Sequence, residues 1–177
     1  LKNNDYIYVT GGNTFFLLQE MKRTGAGSLI KTQINAGKLF IGESAGAVVL
    51  APDIEYSKET DNPLAAPLLK TFEALNVIDF YPVPHYQDES LMDAVERIIS
   101  KYGAELPLVP LSNSQAILVM GKEKQIIGAM QFKEKPYLYG NSFCGTTTGL
   151  TEKTGGGKGA VRNLLLSSGG LNERITK

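Results

Sequence analysis

Charge of one sign is what the sequence most clearly lacks. Eighteen basic residues balance eighteen acidic ones over 177 residues, and no run of like charge occurs. That argues against nucleic acid or an anionic membrane surface as the main partner. Long apolar runs are absent too: none approaches the ~20 residues needed to span a bilayer, and the opening residues are not expected to form a signal peptide. Cysteine is reduced to Cys144 alone, which excludes an internal disulfide framework and a thiolate zinc site and fits a reducing cytoplasm. Histidine is equally scarce, with His85 as its single representative. What remains is 42% hydrophobic and 20% charged, the composition of one globular domain with a real core.

The most informative stretch is Leu39–Leu50, L-F-I-G-E-S-A-G-A-V-V-L. A short apolar run ends in Gly42-Glu43-Ser44-Ala45-Gly46 and passes straight into a small, helix-like run. A strand that turns sharply into a helix pushes the serine at its apex out toward a substrate, and a Cβ at either glycine would obstruct so tight a turn. The Ala45 N–H, at the helix start, can face an oxygen that becomes negative during acyl transfer. The same five letters also fit an ordinary strand-to-helix turn in a chain with 19 glycines. The flanking strand and helix favour catalysis.

Tyr6–Thr10 reads as a buried strand that runs into Gly11-Gly12-Asn13-Thr14, where Asn13 or Thr14 can cap a helix from Phe15 to about Arg23. A second helix, roughly Ser28–Ala36, leads through Gly37 into the Ser44 strand. Strand, glycine turn, helices, strand, glycine turn, helix is the grammar of a parallel α/β sheet, whose ligands gather at the carboxyl ends of strands. Pro52–Pro67 reads as a surface loop, and Asn76–Val83 as a strand that delivers His85. Asp88–Tyr102 has the clearest helical period (Leu91, Val95, Ile98, Tyr102), with Asp88 or Ser90 capping its start. Leu106–Leu111, Ala116–Met120 and Gln125–Phe132 read as strands, the last two joined by a turn at Lys122–Lys124. The chain therefore divides into an α/β domain over 1–132, a flexible glycine- and threonine-rich linker over 133–160, and a strand and helix start over 161–177. Three consecutive leucines, Leu164–Leu166, are too apolar to leave in water. The strand containing them, Val161–Ser167, is expected inside the main sheet, beside Tyr6–Thr10 or the Ser44 strand.

A serine nucleophile needs a base. His85 lies just past a predicted strand, where it could reach the same sheet face as Ser44. A lone histidine is more often a surface or core residue, and only its shared edge with Ser44 and a glycine turn favours acyl transfer.

Together, V-T-G-G-N-T-F, I-G-E-S-A-G-A, A-L-N-V-I-D-F (Ala74–Phe80) and P-H-Y resemble the peptidase E family of aspartyl-dipeptidase-like serine peptidases, over about Asn3–Gly128. The resemblance implies a mostly parallel, three-layer α/β sheet of the flavodoxin or class I glutamine amidotransferase kind, with serine replacing the amidotransferase cysteine. It implies Ser44 as nucleophile, His85 as general base, and Gly12 and Ala45 as oxyanion donors with Asn13 near the substrate. The substrate would be a short peptide, with N-terminal aspartate as one option. No cofactor and no metal are expected, and a homodimer is allowed.

The third catalytic member departs from the family's pattern. Relatives often carry an acid in the strand-end turn that here reads Leu111-Ser112-Asn113-Ser114-Gln115, so the position falls on Asn113. The alternative acid is Glu59, with Asp61 close by, in the loop after the serine helix; solvated loop charges are the competing reading of both. An amide can orient a histidine but cannot stabilise the imidazolium as a charge does. On that basis Asn113→Asp should raise turnover if Asn113 is the third member. Glu59→Gln should abolish most activity if Glu59 is. A catalytically weakened member that binds a peptide or small acid is the other reading. The family's first strands and helices precede Tyr6–Thr10, and the tail V-R-N-L-L-L-S-S-G-G resembles that beginning. A fragment, a circular permutation or a read-through product is therefore expected, and the sheet of this chain is expected to be incomplete or permuted.

Overall fold

A computed structural model of the chain describes residues 1–128 and 163–168; the expected linker over 133–160, Cys144 and the helix start after residue 168 lie outside the described residues. The fold is α/β. Strands β1 (Tyr6–Val9), β2 (Leu39–Glu43), β5 (Gln115–Met120), β6 (Glu123–Gly128) and β7 (Asn163–Ser167) form one sheet in the order β1-β2-β7-β5-β6. Strands β3 (Tyr81–Val83) and β4 (Leu108–Pro110) pair separately and in parallel. Helices α1 (Thr14–Thr24) and α2 (Ala26–Asn35) fill the crossover between β1 and β2, α3 (Ala45–Val48) follows β2, and α4 (Met92–Tyr102) precedes β4.

The leucine-rich tail does enter the sheet. β7 runs parallel to β2, with Leu164 beside Phe40 and Leu166 beside Gly42, and antiparallel to β5 on its other side. Period-two alternation explains the placement. Leu164 and Leu166 are fully buried on the face that also carries Ile7, Phe40, Ile117 and Val119, against Phe15 and Leu18 of α1 and Ile30 and Ile34 of α2. The opposite face is more open among the described residues, with Tyr6, Tyr8, Leu39 and Met120 exposed.

Several elements differ from the sequence-based expectation for identifiable reasons. Tyr6–Thr10 is not a buried strand but the edge of the described sheet, since β1 pairs only with β2 and keeps Tyr6 and Tyr8 open. The expected strand over Asn76–Val83 shrinks to its last three residues. Asn76 takes a left-handed turn (φ 48°), and the N–H groups of Val77 and Ile78 donate to Leu50 instead of a strand. Pro52–Pro67 is no simple surface loop: Glu55–Glu59 and Pro63–Ala65 wind into 3-10 turns that bury Ile54 and Tyr56. The Tyr56 hydroxyl donates to the Pro82 carbonyl at 2.6 Å, which fastens this segment under β3. α4 begins at Met92, because Asp88 N–H bonds back to the His85 carbonyl and Leu91 takes the cap position. The β5–β6 hairpin turns at Gly121-Lys122, with Met120 opposite Glu123 and Gly121 supplying the positive φ of the first turn position. The expected strand Leu106–Leu111 is trimmed to β4.

Candidate active site

Three strand ends converge, from both sheets. β2 carries Ser44, β3 leads to His85 and β4 leads to Asn113. The register between β3 and β4, Val83 beside Pro110, brings the last two segments side by side. Leu111 N–H donates to Val83, and Tyr86 N–H donates back to Leu111.

The turn at Ser44 is as tight as its glycines suggest. A Cβ on Gly46 would lie 2.1 Å from the Val9 carbonyl oxygen, and one on Gly42 would lie 2.6 Å from the Gly46 oxygen. Ser44 itself holds φ 51° and ψ −116°, a combination that L-residues rarely tolerate and that surrounding structure must enforce. Part of that enforcement comes from β7, whose last carbonyl, Ser167, accepts the Ser44 N–H at 2.8 Å. Gly11, at the end of β1, packs so close that an added Cβ would lie 3.2 Å from Ser44 Cβ.

Ser44 Oγ and His85 Nε2 are 2.9 Å apart. On the other side of the ring, His85 Nδ1 and Asn113 Oδ1 are 3.0 Å apart. An amide oxygen can only accept, so Nδ1 carries the proton and Nε2 offers its lone pair to the serine. His85 sits in the left-handed region (φ 64°) within a turn closed by the Asp88 N–H to His85 carbonyl bond. Ser44 and His85 are half-buried and Asn113 is exposed, so the group opens to solvent.

Sequence reasoning missed one residue. Asn113 Nδ2 donates to Asp88 Oδ2 at 2.6 Å, while Asp88 Oδ1 accepts from the Ser90 hydroxyl and N–H at 2.6 and 2.9 Å. These donors, the Ser90 hydroxyl foremost, hold the Asp88 carboxyl down at about 2. Asp88 was legible only as a helix cap. The signal that could have exposed it is a carboxylate three residues after the histidine, within reach of the same turn.

Glu59 requires the opposite correction. It is not the acid beside His85, because Asn113 already occupies the imidazole nitrogen that Glu59 would have to meet. Instead Glu59 joins the 55–59 turn to α4 through Lys101 (3.0 Å) and Arg97 (3.3 Å), which hold its carboxyl below the ordinary value. Glu59→Gln should therefore leave the reactivity of Ser44 unchanged and lower the melting temperature by a few degrees at most, because both of its cationic partners are exposed. A fluorophosphonate labelling rate and a thermal melt check both parts. Asp61 is likewise structural, accepting from the Thr14 N–H and hydroxyl at 3.0 and 2.5 Å. Asn13 caps α1 through Phe16 N–H (2.9 Å) and donates to the Asn62 carbonyl (3.0 Å), so both ends of its amide are engaged within the protein. Gly12 (φ 127°) follows Gly11 in the turn after β1, and Ala45, the first residue of α3, directly follows Ser44. Glu43, just before Ser44, accepts from the Tyr8 hydroxyl. Among the described residues no cluster of three or more His, Cys, Asp or Glu could hold a metal, and no helix is long and apolar enough to cross a membrane.

Known proteins are similar to this chain. An uncharacterized peptidase of Pasteurella multocida (strain Pm70) is 53% identical over 128 residues, which make up 72% of this chain and 62% of that protein. A peptidase E of Shewanella amazonensis is 38% identical over 88 residues, 50% of this chain and 36% of its own length. A crystal structure of a candidate peptidase E protein from Listeria monocytogenes EGD-e superposes with a TM-score of 0.69 at 46% identity, covering 73% of this chain and 62% of that one. The chain thus spans about three-fifths of the length of the first of these relatives. The model of peptidase family S51 matches residues 1–127, the part that brings Ser44, His85 and Asn113 to one edge, and the chain belongs to that family.

Proposed function

We propose that this chain is a serine-type peptidase acting on short peptides, with the turn at Ser44 as its nucleophile elbow. The observation that carries the reading is the 2.9 Å contact between Ser44 Oγ, at a strained strand-to-helix turn, and His85 Nε2. As Ser44 Oγ attacks the scissile carbonyl, its proton passes to Nε2, and the resulting imidazolium gives that proton to the leaving amine. The oxyanion would be met by backbone N–H groups of the Gly11-Gly12 turn and of Ala45. Water then repeats the sequence on the acyl-enzyme. Asn113 keeps the imidazole in the tautomer that can accept the serine proton.

Relatives carry the name peptidase E, and peptides with N-terminal aspartate are the first substrate class to test. The test pairs two measurements: covalent labelling by a fluorophosphonate, and release of free amino acid from dipeptides with and without N-terminal aspartate. Labelling with cleavage of any dipeptide supports the reading. Neither labelling nor cleavage removes it and leaves a binding protein, the reading that an amide at position 113 would favour.

A further inference from the structure

We propose that Asp88 is a positioning residue for His85, acting through Asn113: it locks the Asn113 amide in one orientation and delivers through it the negative charge missing beside the imidazole. This rests on the reading of Ser44 and His85 as nucleophile and base.

An ionised carboxylate can only accept hydrogen bonds, so the group that Asn113 turns toward Asp88 must be its NH2. The 2.6 Å contact therefore sets the other end of the amide, Oδ1, against His85 Nδ1. A flipped amide would press oxygen on carboxylate and NH2 on Nδ1–H, losing both bonds. Asp88 is itself fixed, since its second oxygen is held by Ser90. Its partners are the Ser90 hydroxyl and N–H, the Asn113 amide and the nearby His85 ring. The other acids of this stretch, Glu89 and Asp93, are exposed, and Glu59 is tied to Lys101 and Arg97. When Ser44 gives up its proton, the imidazolium shifts charge onto Nδ1–H, the amide polarises, and the fixed carboxylate stabilises the far end. Because Asn113 is exposed, solvent screens part of this effect, which makes it smaller than that of a buried acid in direct contact.

This arrangement reverses the expectation that Asn113→Asp raises turnover. An aspartate there would face Asp88 across the space of a 2.6 Å bond, and two carboxylates cannot both ionise comfortably so close. Exchanging the two groups, Asp88→Asn with Asn113→Asp, restores one donor and one acceptor and moves the charge next to the ring.

The experiment uses the full chain, whose single histidine gives one imidazole signal by NMR. Asp88→Asn should move the resonance of the His85 Nδ1–H proton, which reports its bond to Asn113, and slow fluorophosphonate acylation of Ser44 about five- to tenfold. Asn113→Asp alone should also slow acylation, and the exchanged double variant should return to the parental rate or exceed it. An unmoved Nδ1–H resonance in Asp88→Asn, or a double variant no faster than the slower single one, overturns the proposal. If Asp88→Asn does not fold, Asn113→Asp still decides, because faster acylation in that variant contradicts the lock. A resonance that moves while no variant reacts with the probe keeps Asp88 in its role and removes the peptidase reading.

Discussion

Replacing Ser44 with alanine is expected to abolish fluorophosphonate labelling and to lower dipeptide hydrolysis on the order of 10⁴-fold or more, because in the proposed mechanism nucleophile, base and orienting amide act as a unit. Replacing it with glycine should be equally inactive and yet raise stability. At φ 51° and ψ −116° the serine backbone carries strain of order 1–3 kcal/mol, which glycine relieves. A chemical denaturation curve for the glycine variant therefore reads the strain stored at the turn. Equal or lower stability would mean that φ 51° is not costly here. In the parent chain, hydrolysis should rise with pH along a one-proton limb as Nε2 becomes free to accept the serine proton. Asp88 does not add a second step to that limb. Its carboxyl lies at about 2 in the folded protein, below its ordinary 3.8, so its contribution to stability is complete above 3.8 and fades only as the pH falls toward 2. A two-proton limb between pH 4 and 8 would contradict this assignment.

The second large effect lies in β7. Leu164 and Leu166 are fully buried at the centre of the sheet, so Leu164→Ala and Leu166→Ala should each cost about 2–5 kcal/mol. Combined, they approach the whole stability of a typical domain. Leu165, between them but on the opposite, half-open face, should tolerate alanine far better. The measurement is the urea midpoint of the three single variants and of the Leu164/Leu166 pair. Equal small shifts in all three would mean that the strand is not central. The pair should also lose serine labelling, because the carbonyl that steadies the Ser44 N–H belongs to the same strand.

Much of this site could be read in the chain because its geometry is written locally. The glycines around Ser44 declare a turn that no Cβ would permit, and the period of Leu91, Val95 and Ile98 declares α4. A single histidine leaves one candidate for the base. The tail leucines declared themselves by hydrophobicity, since three in a row must find a core. Position 113 was legible as a departure, but its compensation was not. The contact between Asn113 and Asp88 depends on how β4 registers against β3, and those strands are only three residues long. Strands so short carry no period to read. Glu59 misled for the converse reason: a carboxylate in a loop has no local mark telling whether it faces a histidine or, as here, the lysine and arginine of a neighbouring helix.

The position of β7 between β2 and β5 also sets an order of events. Its partners lie early and midway in the chain, so the centre of the sheet is a contact between distant segments, and closing so long a loop has to precede its reward. Helices α1 and α2 can collapse on β1 and β2 from local contacts alone. The strand that receives the Ser44 N–H is expected to arrive afterwards, with the turn at Ser44 among the last features to form. A partly folded chain would then hold its helices and still be inert, and refolding followed by probe labelling should lag behind refolding followed by helix content. Until that strand docks, the edges of β2 and β5 stay open to pairing with other chains, which places the main risk of misassembly in the same late interval.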